Sequence, residues 1–340
     1  MNQHIQNIEI SNFKSIKDLK IDGCKKINIF AGKPNAGKSN ILEALGMFDL
    51  FFNPFERQNF KNFVRYESFS DLFFEGNYSK TSQVKLNTYS IFSFYSIANQ
   101  ILKIQLNSKS SKIESQIEYS INGNQERSSH IISDSIKKTD LNIRKYSFKI
   151  ENEIVKFSNS LISPFGENIS TIISTNPEIR NFVNYFLSVN NLKLLIERGS
   201  NNLKIFKEYE DGTVFTLPYN MIADTLQRLI FYKTAIMSNQ NSVLLFEEPE
   251  AHCFEPYILE FTNEVKFNEN NNQFFMVTHS DFIIQEFLRD EESKNNLQIY
   301  LVNNVDGKTE VKKLDKENND DVYEYGMNVF FNFDSLWENN

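Results

Sequence analysis

Residues Gly32 to Ser39 read G-K-P-N-A-G-K-S, the complete pattern G-x-x-x-x-G-K-[ST]. Such a loop works only between a buried strand and a helix, because its backbone N–H groups and the helix N-terminus must point at the same anion. Both neighbours are legible. Lys26-Ile27-Asn28-Ile29-Phe30-Ala31 alternates as a strand does, and Asn40-Ile41-Leu42-Glu43-Ala44-Leu45 carries apolar residues at helical spacing. The arrangement calls for an α/β fold and implies a phosphate cradle built from Gly32, Lys33, Pro34, Asn35, Ala36 and Gly37. Lys38 would bring a cation to the β and γ phosphates, and the Ser39 hydroxyl would ligate Mg2+. A surface turn that matches by chance is the bland reading, and the flanking strand and helix count against it. A nucleoside triphosphate is the expected ligand.

Elsewhere the pattern alternates between strands and helices. A strand pair runs from Ile5 to Ile21, and Asp22-Gly23 turns the chain into the loop strand. The helix after the loop continues through Met47, Phe48 and Leu50, with Pro54 marking its end. Val84 to Leu86, Ile101 to Leu106 and Ile117 to Ile121 read as strands, the last followed by an Asn122-Gly123 turn signal. A helix is expected from Asn176 to Val189. Strands follow at Leu203 to Tyr209 and Thr213 to Leu217, then helical spacing from Ile222 to Met237. Further on come a strand Val243 to Phe246, a helix from about Pro256, a strand Phe274 to Val277 and a helix Asp281 to Leu288. Asn268 to Gln273 and Lys312 to Asp321 read as solvated loops. The aromatic residues between Val322 and Trp337 suit a docked terminal element, or an oligomer or effector surface.

The formal net charge of −8 over 340 residues gives no global positive field for DNA or an anionic membrane. No apolar run is long enough to span a bilayer, and the first residues lack the order of a secretory signal. Cys24 and Cys253 stand in no metal-ligand spacing, so a reducing cytoplasm is the expected compartment.

Two strand ends complete the chemistry. Val243-Leu244-Leu245-Phe246 is apolar throughout and runs into Glu247-Glu248-Pro249-Glu250, which places carboxylates at the ligand-binding edge of a sheet. Glu247 would hold Mg2+ directly or through a water, and Glu248 would orient or deprotonate the attacking water. An acidic turn after a strand is the plain alternative. Phe274-Phe275-Met276-Val277-Thr278 leads to His279, whose neutral imidazole would contact the γ-phosphate or that water.

With these pieces in order, the chain resembles the ABC-type ATPases of the RecF, SMC and OLD kind, most closely the OLD-like ATPases of bacterial anti-phage systems. The resemblance rests on Asn12-Phe13-Lys14-Ser15-Ile16, on Gly32 to Ser39 with Asn40, on Phe246-Glu247-Glu248-Pro249-Glu250-Ala251-His252, and on Thr278-His279-Ser280. It implies an ABC-type P-loop ATPase head with a mixed sheet, a β-rich lobe and a helical insertion. ATP and Mg2+ are the implied ligands, and nucleotide would lie at a dimer or higher oligomer interface. Lys14 and Asn40 join the nucleotide-binding set, His252 matches the histidine after the Walker B carboxylates, and His279 matches the switch histidine. Walker B here ends in Glu-Glu where relatives have Asp-Glu. The signature position falls on Ala223-Asp224-Thr225-Leu226-Gln227-Arg228, with Ala for the usual Ser and Thr for the usual Gly. Asp224 or Thr225 would cap that helix, and a plain amphipathic helix is the competing reading.

The resulting domain division is 1–81 and 216–305 for the head, 82–215 for a β-rich and helical insertion, and 306–340 for a tail. The expected function is ATP hydrolysis that switches a separate effector, a nuclease or toxin, with no nuclease in the chain itself. A RecF-like ATPase binding DNA directly is the alternative. A membrane-transporter ATPase is disfavoured.

Overall fold

The computed structural model describes residues 4–52, 59–87, 89–107, 113–122, 125–132, 141–149, 158–196 and 203–339. The expected helix end at Pro54 and the turn residue Gly123 lie outside these residues. In chain order the strands are β1 (Asn7–Phe13), β2 (Ile16–Asp22), β3 (Ile27–Gly32), β4 (Ser82–Leu86), β5 (Tyr89–Ser96), β6 (Ile101–Asn107), β7 (Ile113–Asn122) and β8 (Gln125–Ile132). They continue as β9 (Ile143–Tyr146), β10 (Lys193–Ile196), β11 (Leu203–Glu208), β12 (Val214–Pro218), β13 (Val243–Glu247), β14 (Gln273–Val277), β15 (Leu297–Val305) and β16 (Lys308–Lys313).

One compact unit comprises Met1–Lys145, Asn241–Glu248 and Gln273–Asn340. Its six-stranded sheet has the order β16-β15-β3-β14-β13-β9. β3 pairs in parallel with both β14 and β15, and β13 pairs in parallel with β14. All six residues of β3, Ile27–Gly32, are buried, as are Val243 to Phe246 of β13 and the whole of β14. Apolar runs of this kind are what a sheet covered on both faces requires. Register sets the site: Glu247 lies opposite Val277, and Val277 opposite Phe30, so three strand ends finish side by side.

The second sheet of this unit has the order β2-β1-β4-β5-β6-β7-β8 and is antiparallel. Its strands alternate, with Ile8, Ile10, Val84, Leu86, Ile91, Leu102, Ile104, Leu106, Ile117 and Tyr119 buried. That inner face shares one core with Ile41, Leu42 and Leu45 of the loop helix Lys38–Gly46. Tyr119 stacks on Phe60 at a centroid distance of 5.1 Å.

The other unit, Tyr146–Gln240 with Pro249–Asn272, holds the sheet β10-β11-β12 and the helices Ile169–Thr175, Pro177–Val189, Asp224–Ser238 and Glu255–Lys266. Asn176 caps its second helix, accepting from the N–H groups of Glu178 and Ile179 at 3.0 and 3.2 Å, with Pro177 in the first turn.

Three sequence expectations need correction. The Lys312–Asp321 stretch is not a solvated loop: it holds the end of β16 and most of a helix, Lys316–Glu324, capped by Asp315 accepting from Asn318 N–H at 2.8 Å. β16 is an antiparallel edge strand against β15, so its polar sequence faces water on one side while the backbone is satisfied by its neighbour. Asn268 to Gln273 is likewise more than a loop. Asn272 and Gln273 are fully buried, the first donating to Asn239 O at 2.8 Å, the second exchanging hydrogen bonds with the backbone of Ile5. The units also divide elsewhere than at 81/82 and 215/216, because β4 to β8 continue the sheet that β1 and β2 open.

Candidate functional site

The loop between β3 and the helix Lys38–Gly46 is shaped by a sharp local constraint. Gly37 precedes the helix at φ +94, and a Cβ there would sit 1.9 Å from Thr309 Oγ1 and 2.7 Å from Ser15 Oγ. Only glycine satisfies both the backbone angle and the space. Thr309 lies on β16 and braces the loop from outside. Its hydroxyl donates to Ala36 O at 3.1 Å and lies 2.7 Å from Ser15 Oγ, to which the Asn40 amide donates at 2.6 Å. The helix carries no side-chain cap, which leaves its first N–H groups for a ligand.

Lys38 is buried, and its Nζ donates to Gly32 O and Lys33 O, both at 2.8 Å. Burial pushes this ammonium down to about 8, against the smaller upward pull of Glu248. An anion beside it would restore the charge. Pro34, Asn35, Ala36, Gly37, Lys38, Ser39 and Asn40 line a cleft of about 360 Å³, closed on the far side by Arg65, Glu248 and His279.

The two carboxylates after β13 differ in environment. The Glu247 side chain is largely buried, with Arg65 Nη2 3.6 Å and Lys145 Nζ 3.8 Å from its two oxygens. Burial alone would raise it, yet Lys145, the Ser39 hydroxyl, Arg65 and Lys14 together hold it below the ordinary carboxylate range. Glu248 is half-buried at φ 47, and its N–H donates to Val277 O at 2.9 Å. This tether turns the chain sharply at the strand end. His279 Nε2 lies 3.5 Å from Glu248 Oε1, and the ring stacks on Phe330 at 6.1 Å. Burial first, then the Lys38 charge, lowers the imidazole from its usual value, which favours the neutral form. Thr278 is buried, its hydroxyl accepting from Ser280 N–H at 3.0 Å.

Ser39 and Glu247 form a hard-oxygen pair that fits Mg2+ bound together with phosphate oxygens. Among the described residues no group of three or more His, Cys, Asp or Glu side chains gathers to hold a metal by itself.

Lys14 lines the hollow beside the phosphate cleft, with Arg65 on the border of both. It has φ 49, and its ammonium pairs with the buried Glu43 carboxylate, not with the groups lining the phosphate cleft. His252 belongs to the other unit, where its carbonyl accepts from the Thr225 hydroxyl at 3.2 Å. Neither Asp224 nor Thr225 caps the helix Asp224–Ser238. Asp224 instead pairs with Arg228 at 2.7 Å, and Arg228 lies 4.7 Å over the Phe148 ring.

Sequence reasoning missed four residues around the cleft: Glu43, Arg65, Lys145 and Thr309. Glu43 had a signal, a lone acid in an otherwise apolar helix, which demands buried cations. Arg65, Lys145 and Thr309 had none, since only the fold brings them there.

With this geometry established, likeness to known proteins falls in place. Residues 4–89 match the family model described as an AAA ATPase domain. That match takes in the phosphate loop with its preceding strand and following helix. An ATP/GTP phosphatase of Helicobacter pylori is 24% identical over 387 aligned residues, covering 96% of this chain and 100% of that protein. The DNA replication and repair protein RecF of Clostridioides difficile is 30% identical over 82 residues, 24% of this chain and 22% of that protein. Among solved structures, the SMC head domain of Thermotoga maritima aligns with a TM-score of 0.44 at 14% identity, covering 92% of this chain and 99% of that one. No helix among the described residues is long and apolar enough to cross a membrane.

Proposed function

We propose that this chain binds ATP with Mg2+ in the cleft, hydrolyses it slowly, and uses the change of state to control a separate nuclease or toxin in bacterial anti-phage defence. The observation that carries the nucleotide half of this reading is the one cleft lined by the loop, with its buried Lys38, and by Glu248 and His279 at two strand ends. It brings phosphate-binding backbone and a carboxylate to one place, as a metal-bound triphosphate requires.

Loop amides and the helix N-terminus would hold the phosphates, and Lys38 would leave the Gly32 and Lys33 carbonyls for the β and γ oxygens. Ser39 and Glu247 would hold Mg2+, which supplies charge neutralisation on the phosphate oxygens. Arg65 borders the cleft and also a hollow of about 610 Å³ walled by Lys14, Tyr66 and Phe73, which has room for the nucleoside end. Glu248 would take a proton from the attacking water as its oxygen bonds to the γ-phosphorus and the bond to the β–γ bridging oxygen breaks. The neutral His279, 3.5 Å from that carboxylate, would donate to a γ-phosphate oxygen. Slow turnover suits a switch whose output is conformation. Working in the cytoplasm as a homodimer or larger assembly belongs to the same reading.

Glu248→Gln should lower phosphate release by about 100-fold or more while ATP still binds. Phosphate-release kinetics and equilibrium dialysis with labelled ATP measure the two. Unchanged turnover would remove Glu248 from the chemistry.

The local RecF match favours one competing reading, a DNA-binding ATPase of repair or recombination. It requires salt-dependent DNA affinity, which the net charge of −8 disfavours. A DNA titration at two salt concentrations decides between them.

A further inference from the structure

Below the cleft lies a charge cluster that phosphate binding does not explain. Glu43 is fully buried, with Lys14 on one carboxylate oxygen and Arg65 Nε on the other at 2.5 Å. From there Arg65 extends its Nη2 to 3.6 Å from Glu247 Oε1. On the opposite side Lys145 Nζ lies 3.8 Å from Glu247 Oε2 and donates to Phe63 O at 2.9 Å. Each oxygen of the carboxylate assigned to the metal therefore already faces a cation.

The two cations differ in freedom. Lys145 keeps only 6% of its side chain exposed, is held by the Phe63 carbonyl, and packs its stem near Gly46. Arg65 keeps 67% of its side chain exposed and also borders the phosphate cleft. Lys145 is held in place, and Arg65, anchored through Nε on Glu43, has solvent in which its outer guanidinium nitrogens can turn.

We propose that Lys145 and Arg65 form a charge guard on Glu247, so that this site rejects a free divalent cation and accepts one only together with a triphosphate. The inference rests on the reading of Glu247 as the metal carboxylate. In the empty cleft, a dication at Glu247 meets two cations in a partly buried place where water screens poorly. A triphosphate brings negative charge to the cleft, offers Arg65 a second anion to face, and uncovers Glu247 Oε1. Lys145 stays where it is and keeps the carboxylate oriented. Lys145 and Arg65 are thus positioning residues that set the order of loading.

The test is Mn2+ uptake by nucleotide-free protein, followed by the loss of the free-ion electron paramagnetic resonance signal. Wild type should show no uptake at millimolar metal. Lys145→Met and Arg65→Gln should each gain affinity for Mn2+ alone by about tenfold or more, since each removes a neighbouring positive charge. Adding Glu247→Gln to either variant should abolish the gain. A loss of folding cannot produce that pattern, and Arg65→Gln alters a side chain that is mostly in solvent. Tight Mn2+ binding by wild type alone, or no gain in either variant, overturns the guard. Titration of wild type with Mn2+ and ATP together separates the two ideas. If that complex fails to bind, the reading of the cleft falls; if it binds and the variants gain nothing, only the guard does.

Discussion

The helix Lys38–Gly46 and the helix Asp224–Ser238 both begin without a side-chain cap from the residue before them. At the first, the preceding residue is Gly37 in a left-handed conformation, no acid stands in the opening turn, and a lysine and a serine follow. Every local feature there is positive or donates, and the surrounding contacts from Thr309, Ser15 and Asn40 fix the loop without using its helix amides. At the second, the preceding residue is Ala223 and the first turn carries its own carboxylate, Asp224, already paired with Arg228. One start is left open for an anion, and the other has supplied its own. The lesson is that an uncapped helix is a binding site only where the chain also withholds negative charge and shapes the backbone to approach a ligand.

Serine at both N-cap positions is the sharpest way to break the comparison, because it should act with opposite sign. Gly37→Ser forces a side chain into φ +94 and against Thr309 Oγ1, and should cost about 2–4 kcal/mol from backbone strain and overpacking together. Urea denaturation reads that loss, and a more stable variant would show that the glycine is not required.

Acidity offers a second handle, of intermediate size. Burial pushes the Lys38 ammonium down to about 8, and phosphates bound beside it would raise it. Below about 8 the cation is present before ATP arrives; above it, binding has to take up a proton. ATP affinity should therefore fall as pH rises beyond that value, by up to about tenfold per pH unit until the bound-state value is reached. Calorimetry in buffers of different ionisation heat would detect the proton uptake, and a flat profile would contradict a buried lysine on the phosphates.

The smallest effect belongs to the second helix. Ala223→Ser supplies the missing cap at an exposed position and should stabilise by about 1 kcal/mol, seen as a rise in melting temperature. No gain would mean that Asp224 already satisfies that first turn.

Much of the site was legible before the structure. Pro34 to Asn40, Glu248 and His279 are brought around one cleft, with Glu247 closing the neighbouring strand, because apolar strands buried on both faces end in residues too polar to be core. The strands β15 and β16 escaped notice for different reasons. Leu297-Gln298-Ile299-Tyr300-Leu301-Val302 is an apolar run that a closer reading of the pattern would have caught. Lys308–Lys313 has the composition of a loop, and it becomes a strand only because β15 offers it a partner edge. Lys14 is plain in the sequence as a motif residue, whereas its pairing with the buried Glu43 is visible only in the structure.

The amino-acid order alone marked the residues proposed for phosphate, metal and base, since each follows from short local patterns of spacing, size and polarity. The tertiary structure decided which charges surround them. Arg65 and Lys145 stand far along the chain from Glu247 and close to it in space, with the Nη2 and Nζ atoms at 3.6 and 3.8 Å. Coulomb interaction depends on that distance and on exclusion of water, and neither is written in any run of neighbouring residues.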